Sequence, residues 1–335
     1  MIRIASEALR FSVTSTLLLI TLVSIASGSS TREAPKPLES ISVAYPVPTL
    51  SAVPFYIATQ AGFAKQEGLA PTLVQMSGGL SIKAMIAGQF AFVLSPGSTA
   101  VAAIQGARVR VVMAQLDKSL FWLYAKPGIK SVNDLANKQL GVAAINSADY
   151  TGARAVILGR GGDPTKVNFV ALGGAGIYPS LKAGGLDAGI LASPDNLRAE
   201  QDGYQLLGFA GDYAHFLMGG VGTTYENVKQ HPDLVKPMIR AAAKGAIYMK
   251  KNREGTIKYL QGWLKLEPNL AGRMYDSTIK YFNPFGVASL ETQQAIVRDT
   301  SELLKKSGVP VGNVFDLEIS KQVAKELADW QPSVK

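Results

Sequence analysis

Hydroxyl-bearing residues and glycines gather at a series of corners along this chain. They are Tyr45-Pro46 with Thr49 and Ser51, Ser77-Gly78-Gly79, Ser95-Pro96-Gly97-Ser98, Asn146-Ser147, Gly173-Gly174 and Ala192-Ser193-Pro194. Serine and threonine donate and accept hydrogen bonds without carrying charge, and glycine lets backbone N–H groups come close to a ligand. A corner that opens a helix also offers first-turn N–H groups with no partner of their own and the positive end of the helix dipole. Such groups suit a small polar or anionic molecule held without covalent chemistry. Ordinary N-capping accounts for any one of these serines, so the case rests on how often the corners recur.

Other chemistries find less support. The chain has no cysteine, which excludes disulfides, thiolate metal sites, a cysteine nucleophile and a lipid-modified N-terminal cysteine. It has two histidines, His215 near Asp212 and His231 just before Pro232. No G-x-S-x-G elbow surrounds a serine, so a catalytic triad is disfavoured, and two isolated histidines make a poor zinc site. Gly159-Arg160-Gly161-Gly162 lacks the G-K-[ST] of a phosphate loop and reads as a helix-ending turn. We therefore expect no catalytic residue, no metal and no cofactor. Lys and Arg number 34 against 25 Asp and Glu, a net charge of +9, yet the basic residues never run beyond pairs such as Lys250-Lys251. That spread argues for a solvated basic surface and against nucleic-acid binding.

Candidate ligand platforms are Tyr45, Phe55, Phe121, Trp122 and Tyr150, with Tyr45 and Tyr150 nearest the corners. The charged candidates are Asp117, Lys118 and Arg154. Core packing for the aromatics and surface exposure for the charges are the plainer fates. The ligand-binding set expected from the sequence is Tyr45, Pro46, Thr49, Ser51, Ser77, Gly78, Ser95, Ser98, Asp117, Asn146, Ser147, Tyr150, Gly174 and Ser193.

The elements that must position these residues follow from patterning. Strands are expected at 41–45, 71–76, 90–94, 109–113, 139–144, 167–172 and 187–191, with helices between them at 52–64, 81–87, 99–105, 149–158 and 178–182. Ser131 and Asp134 have capping-box spacing. Near-continuous apolar strands alternating with helices indicate βαβ units and parallel sheets covered on both faces. In such sheets ligands sit outside the carboxyl ends of the strands, which is where the corners fall. Ile86-Ala87-Gly88-Gln89-Phe90 and Lys182-Ala183-Gly184-Gly185-Leu186 both end a helix on glycine and enter a buried run, so the same unit is built twice. Beyond residue 231 only amphipathic helices are expected, at 232–250, 254–265, 290–306 and 317–330.

With 335 residues and 47% hydrophobic content, the chain has material for about two compact units. At its start, Arg3 and Arg10 flank an apolar stretch over 11–25 that is followed by Ala26-Ser27-Gly28. This order reads as a cleavable signal peptide over 1–28, then a linker over 29–39, and so a periplasmic protein.

The runs Ile41-Ser42-Val43-Ala44-Tyr45, Pro54-Phe55-Tyr56-Ile57-Ala58 and Ala61-Gly62-Phe63-Ala64-Lys65-Gln66-Glu67-Gly68-Leu69 come in a fixed order with later motifs. Those are Ala87-Gly88-Gln89-Phe90, Ser95-Pro96-Gly97-Ser98, Gly128-Ile129-Lys130-Ser131-Val132-Asn133-Asp134-Leu135 and Ala183-Gly184-Gly185-Leu186-Asp187-Ala188. The series resembles the solute-binding proteins of nitrate-, sulfonate- and taurine-type ABC importers, a group that includes the thiamine-pyrimidine-precursor type. It covers about residues 41–250. The resemblance implies the type II periplasmic-binding-protein fold, an α/β architecture of two lobes. Each lobe has a mainly parallel sheet flanked by helices, and there are two hinge crossings and extra C-terminal helices. Lobe 1 would be 40–121 with 218–335, and lobe 2 would be 122–217, with crossings near 121–124 and 212–220. It also implies a small-molecule ligand, sulfonate- or nitrate-like, a permease in the inner membrane as partner, and a monomer. An enzyme of the same fold, of pyrimidine-precursor or menaquinone-pathway type, and a ligand-sensing module are the alternatives. Ala192-Ser193-Pro194 stands where many relatives carry Trp-Glu-Pro, so no one relative's ligand carries over.

Overall fold

The computed structural model describes residues 37–46, 48–145 and 147–333. The signal-peptide expectation, Asn146 and most of the linker lie outside them. The first apolar run forms β1 (Glu39–Tyr45), which starts within the expected linker. A 3-10 turn at Leu50–Ala52 leads into α1 (Val53–Gln60), which has Pro54 in its first turn, where the missing N–H does no harm. The single helix expected over 52–64 is broken, because Gly62 takes a left-handed φ of 78° before α2 (Phe63–Gln66). Then come β2 (Leu69–Gln75), α3 (Gly78–Ile86), β3 (Phe92–Val93), α4 (Pro96–Ile104) and β4 (Val109–Lys118). β3 is shorter than the expected 90–94. The ladder bonds Ala91 N–H to Ser42 O and Leu94 N–H to Ala44 O still tie its flanks to β1.

The chain then crosses to a second sheet. It runs through β5 (Trp122–Ala125), a 3-10 turn at Val132–Leu135, β6 (Gln139–Val142), α5 (Ala148–Gly159) and β7 (Asn168–Ala171). Next are α6 (Gly174–Lys182), β8 (Ala188–Leu191), α7 (Asp195–Gln201) and β9 (Gln205–Phe209). In the Val132–Leu135 turn the Asp134 carboxylate accepts the N–H groups of Lys130 and Ser131, which holds its pKa below the usual range. The chain returns as β10 (His215–Thr224), and helices follow: α8 (Tyr225–Gln230), α9 (Pro232–Lys251), α10 (Arg253–Leu264), α11 (Pro268–Thr278), α12 (Leu290–Leu303) and α13 (Glu318–Glu326).

The sheet orders are β2-β1-β3-β10-β4 and β7-β6-β8-β5-β9. In each, the first three strands are parallel and the fourth is antiparallel to both of its neighbours. That fourth strand is always the one that has just crossed over, so the two halves have one plan. β1, β2 and β3 correspond to β6, β7 and β8. The crossing segments are 119–121 and 210–214, so residues 122–124 and 215–220 are already strand. The glycine-ended helices repeat at bond level too. Gly88 and Gly184 have φ of 79° and 85°, and each is followed by an N–H bonded to the carbonyl five residues back, Gln89 to Ala84 and Gly185 to Ser180.

The C-terminal helices brace the first sheet. α9 packs on α1 so closely that a Cβ at Gly245 would stand 1.9 Å from Pro54 O. Glu67, at the end of α2, accepts Lys244 Nζ at 2.6 Å and Arg240 Nε at 2.7 Å. Glu67 and Lys244 both have side chains no more than 10% exposed. The Glu67-Gly68-Leu69 motif is thus structural, since its carboxylate pins α9 and Gly68 (φ 81°) turns the chain into β2. Among the described residues no helix is long and apolar enough to cross a membrane.

Candidate functional site

The parallel strands of both sheets deliver their carboxyl ends to one cleft. Because β1 corresponds to β6 and β3 to β8, the corner after β1 faces the corner after β8, and the corner after β3 faces the corner after β6. Each pairing encloses a cavity.

The smaller cavity, about 90 Å³, has Thr49, Leu50 and Ser51 on one side and Ala192 and Ser193 on the other. Leu116 of β4, Leu120 of the first crossing, Met218 of β10 and Met274 of α11 complete its lining. The Thr49 and Ser51 hydroxyls are 2.8 Å apart, so one donates to the other and a donor remains free. The Ser193 hydroxyl is buried and has no protein partner. Asn196 Oδ1, in the first turn of α7, is also buried and unpartnered. No charged side chain is among the lining residues. The cavity thus offers neutral hydrogen bonds on one wall and aliphatic and thioether surface on the rest.

The larger cavity, about 510 Å³, lies between the first turns of α4 (Gly97, Ala100) and of α5 (Ser147, Ala148, Thr151). The return crossing adds Tyr213, β10 adds His215 and Phe216, and α12 adds Asp299, Thr300 and Glu302. Its charged lining is acidic, with His215 the sole potential cation among the lining residues. The Ser147 hydroxyl is already engaged by the Ala144 carbonyl and the Asp149 carboxylate, and Asp149 also accepts the Ala143 N–H at 2.5 Å. This cavity is the poorer host for an anion.

The other sequence candidates fall into place around these two. Ser95 is 7% exposed with an unpartnered hydroxyl, and it is the N-cap of α4, two residues before Gly97. Ser77-Gly78 and Ser98 meet each other: a Cβ on Gly78 would come within 2.3 Å of Ser98 Oγ. Ser77 is exposed, and Ser98 lines an outer groove between α3 and α4. Gly174 is exposed, with nothing near its Cα–H. Tyr150 packs edge-on against Phe169 at 4.8 Å, inside the second lobe. Tyr45 stacks on Trp263 at 5.1 Å, and Pro46 follows it half-buried. Asp117 is half-buried on β4. Of these, none lines either cavity. Met218, Met274 and the α12 residues were not foreseen, since an apolar or amphipathic helical residue carries no mark of a ligand wall.

Two contacts join the lobes beside the smaller cavity. Arg273 of α11, next to Met274, pairs with Glu200 of α7 at 2.8 Å. The Phe209 ring stacks on Tyr281 at 5.2 Å and on Trp122 at 5.0 Å. Tyr124, behind this seam, has its pKa raised to about 12 by burial and, secondarily, by Glu200. Among the described residues no cluster of side chains fits a metal ion.

Comparison with known proteins agrees with this plan. A family profile described as NMT1/THI5 like matches residues 50–255. No curated protein matches the chain by sequence. Among solved structures, the chain is similar to a putative sulfonate ABC transporter periplasmic sulfonate-binding protein, SsuA, from Methylobacillus flagellatus KT. The TM-score is 0.71 at 15% identity, over 89% of this chain and 98% of that one. It is similar to the periplasmic aliphatic sulphonate binding protein SsuA from Escherichia coli, with a TM-score of 0.69 at 14% identity over 80% and 92% of the two chains. It is also similar to the periplasmic nitrate-binding protein NrtA from Synechocystis PCC 6803, with a TM-score of 0.66 at 12% identity over 88% and 91%. At these identities the likeness establishes the fold, the periplasmic-binding-protein architecture.

Proposed function

The chain belongs to the NMT1/THI5-like family, and on that premise we propose that it captures a small solute between its lobes and delivers it to an ABC-type permease from the periplasm. The observation that carries this reading is the smaller cavity: Thr49 and Ser51 from one lobe and Ser193, with its unpartnered hydroxyl, from the other surround one space. A buried hydroxyl without a partner is costly, and a ligand oxygen relieves that cost. The lining offers hydrogen bonds and apolar contact without a nucleophile–base pair, which supports capture over turnover.

The solute class follows from the lining. A sulfonate- or nitrate-like oxoanion would be held by neutral hydroxyls, with its hydrocarbon part, if any, against Leu116, Leu120 and the two methionines. At about 90 Å³ the space exceeds what one water needs but falls below the roughly 300 Å³ at which sites for drug-sized ligands begin. A ligand of a few heavy atoms fits this space, and a longer one requires the lobes to part. Thermal-shift titration with nitrate, methanesulfonate and taurine tests the reading. A true ligand at about 100 times its dissociation constant adds about 2.7 kcal/mol. No shift with any of the three, at millimolar concentrations, would overturn the oxoanion assignment.

A further inference from the structure

We propose that Trp263, on α10, is the positioning residue of the cleft: its indole fixes the turn that presents Thr49 and Ser51, and so sets the geometry of the solute site. The inference rests on the solute-binding reading and goes beyond it, since Trp263 lies outside the span matched by the family profile.

The turn closes itself with only two backbone bonds, Ala52 N–H to Thr49 O at 3.3 Å and Val53 N–H to Leu50 O. It is three residues of 3-10 helix, and its N-cap hydroxyl makes no capping bond because Thr49 Oγ1 is paired with Ser51 Oγ. Further support comes from outside. Trp263 Nε1 donates to the Thr49 carbonyl at 3.0 Å. The same indole packs on Tyr45, which precedes the turn, at 5.1 Å, and on Tyr56, which follows it, at 4.3 Å. One side chain therefore touches the chain before, within and after the segment that lines the cavity. β10 also packs close to the turn: a Cβ at Gly219 would come within 3.2 Å of Ser51 O. The turn is thus bonded by Trp263 and packed by β10, which orders the segment that carries its two hydroxyls before a ligand arrives. Preorganisation of this kind strengthens binding by reducing what must be ordered on association.

Trp263→Phe keeps a ring for the stack and removes the N–H. In the full ligand-free chain, amide hydrogen exchange is compared between the 50–53 amides and the buried face of α9. The proposal expects exchange at 50–53 to rise about five- to tenfold, the loss of one hydrogen bond, with α9 unchanged. Unchanged exchange at 50–53 overturns it. An equal rise in α9 also overturns it, since Trp263 would then merely hold the fold. Should Trp263→Phe not fold, Tyr56→Leu withdraws one stacked ring, leaves the N–H in place and carries the same comparison. A second arm uses methanesulfonate as the probe in a Trp122→Phe/Trp330→Phe background, where Trp263 is the remaining indole. The emission is expected to shift as the probe binds, and binding seen by thermal shift with no change in emission counts against the proposal. If methanesulfonate gives no thermal shift, the oxoanion reading fails on its own, and the exchange result still decides the role of Trp263.

Discussion

Ser193→Ala separates binding from folding at the centre of the cleft. The Ser193 hydroxyl is buried, yet it makes no hydrogen bond to the protein, so its removal breaks none. The ligand-free protein should therefore keep its stability within about 1 kcal/mol, roughly 2 °C in midpoint for a chain of this size. Binding should respond quite differently. A hydrogen bond to a neutral ligand group contributes about 0.5–1.5 kcal/mol and one to a charged oxygen about 1.5–3 kcal/mol. Through the tenfold-per-1.4-kcal/mol relation these correspond to about 2- to 12-fold and 12- to 150-fold losses of affinity. The size of the loss thus reports the charge of the group that Ser193 meets. Isothermal titration of wild type and variant against the solute found by thermal shift, together with melts of both proteins without it, gives the two numbers. A midpoint lowered by more than about 5 °C, with affinity unchanged, would refute the reasoning, because Ser193 would then be holding the corner and not the ligand.

Glu67→Gln should act the opposite way, costing about 3 kcal/mol because it leaves the buried Lys244 ammonium without its carboxylate; urea melts should also show the double variant with Lys244→Met recovering much of that loss, and a double variant no better than the single one would count against the pairing. Gly245→Ala should cost about 3 kcal/mol or prevent folding, since the new Cβ meets the Pro54 carbonyl, a backbone atom that cannot swing aside; denaturant midpoints measure it. Tyr124 keeps its proton in the fold up to about pH 12, held by burial, whereas the unfolded chain releases it near pH 10. Between those values the unfolded state binds fewer protons, so stability falls as pH rises; Tyr124→Phe should flatten that alkaline limb, and an unchanged limb in pH-dependent melts would refute the assignment.

Much of the fold was legible because each sheet has a parallel set of three strands, whose apolar runs stand out between glycine- and proline-marked corners. The antiparallel strands β5, β9 and β10 were not; in β10 Gly219, Gly220 and Gly222 interrupt the run, and its place between β3 and β4 is a long-range choice. The corners were read correctly as helix openings, and Thr49, Ser51 and Ser193 do meet. Strand order decides which corners meet, and local sequence does not encode it. β2 and β7 lie at the sheet edges, so Ser77 and Gly174 end up exposed, away from both cavities. Tyr150 and Tyr45 were the right residue type at the right distance along the chain, but Phe169 and Trp263 had the stronger claim on them. Met274 comes from α11, a helix that the sequence pattern did not mark at all, and its contribution depends on how α11 is folded back over the crossing.

Lys118 stands opposite His215, and Trp122 opposite Phe209. The chain therefore departs from its first sheet and rejoins it on adjacent rungs, with cut ends only a hydrogen-bonded strand spacing apart. Everything between is an insertion in the architectural sense: one jaw plugged into the side of the other at a single socket. Ser193 and its wall thus reach the cleft as one inserted unit, while Thr49, Ser51 and the bracing helices belong to the part that receives it.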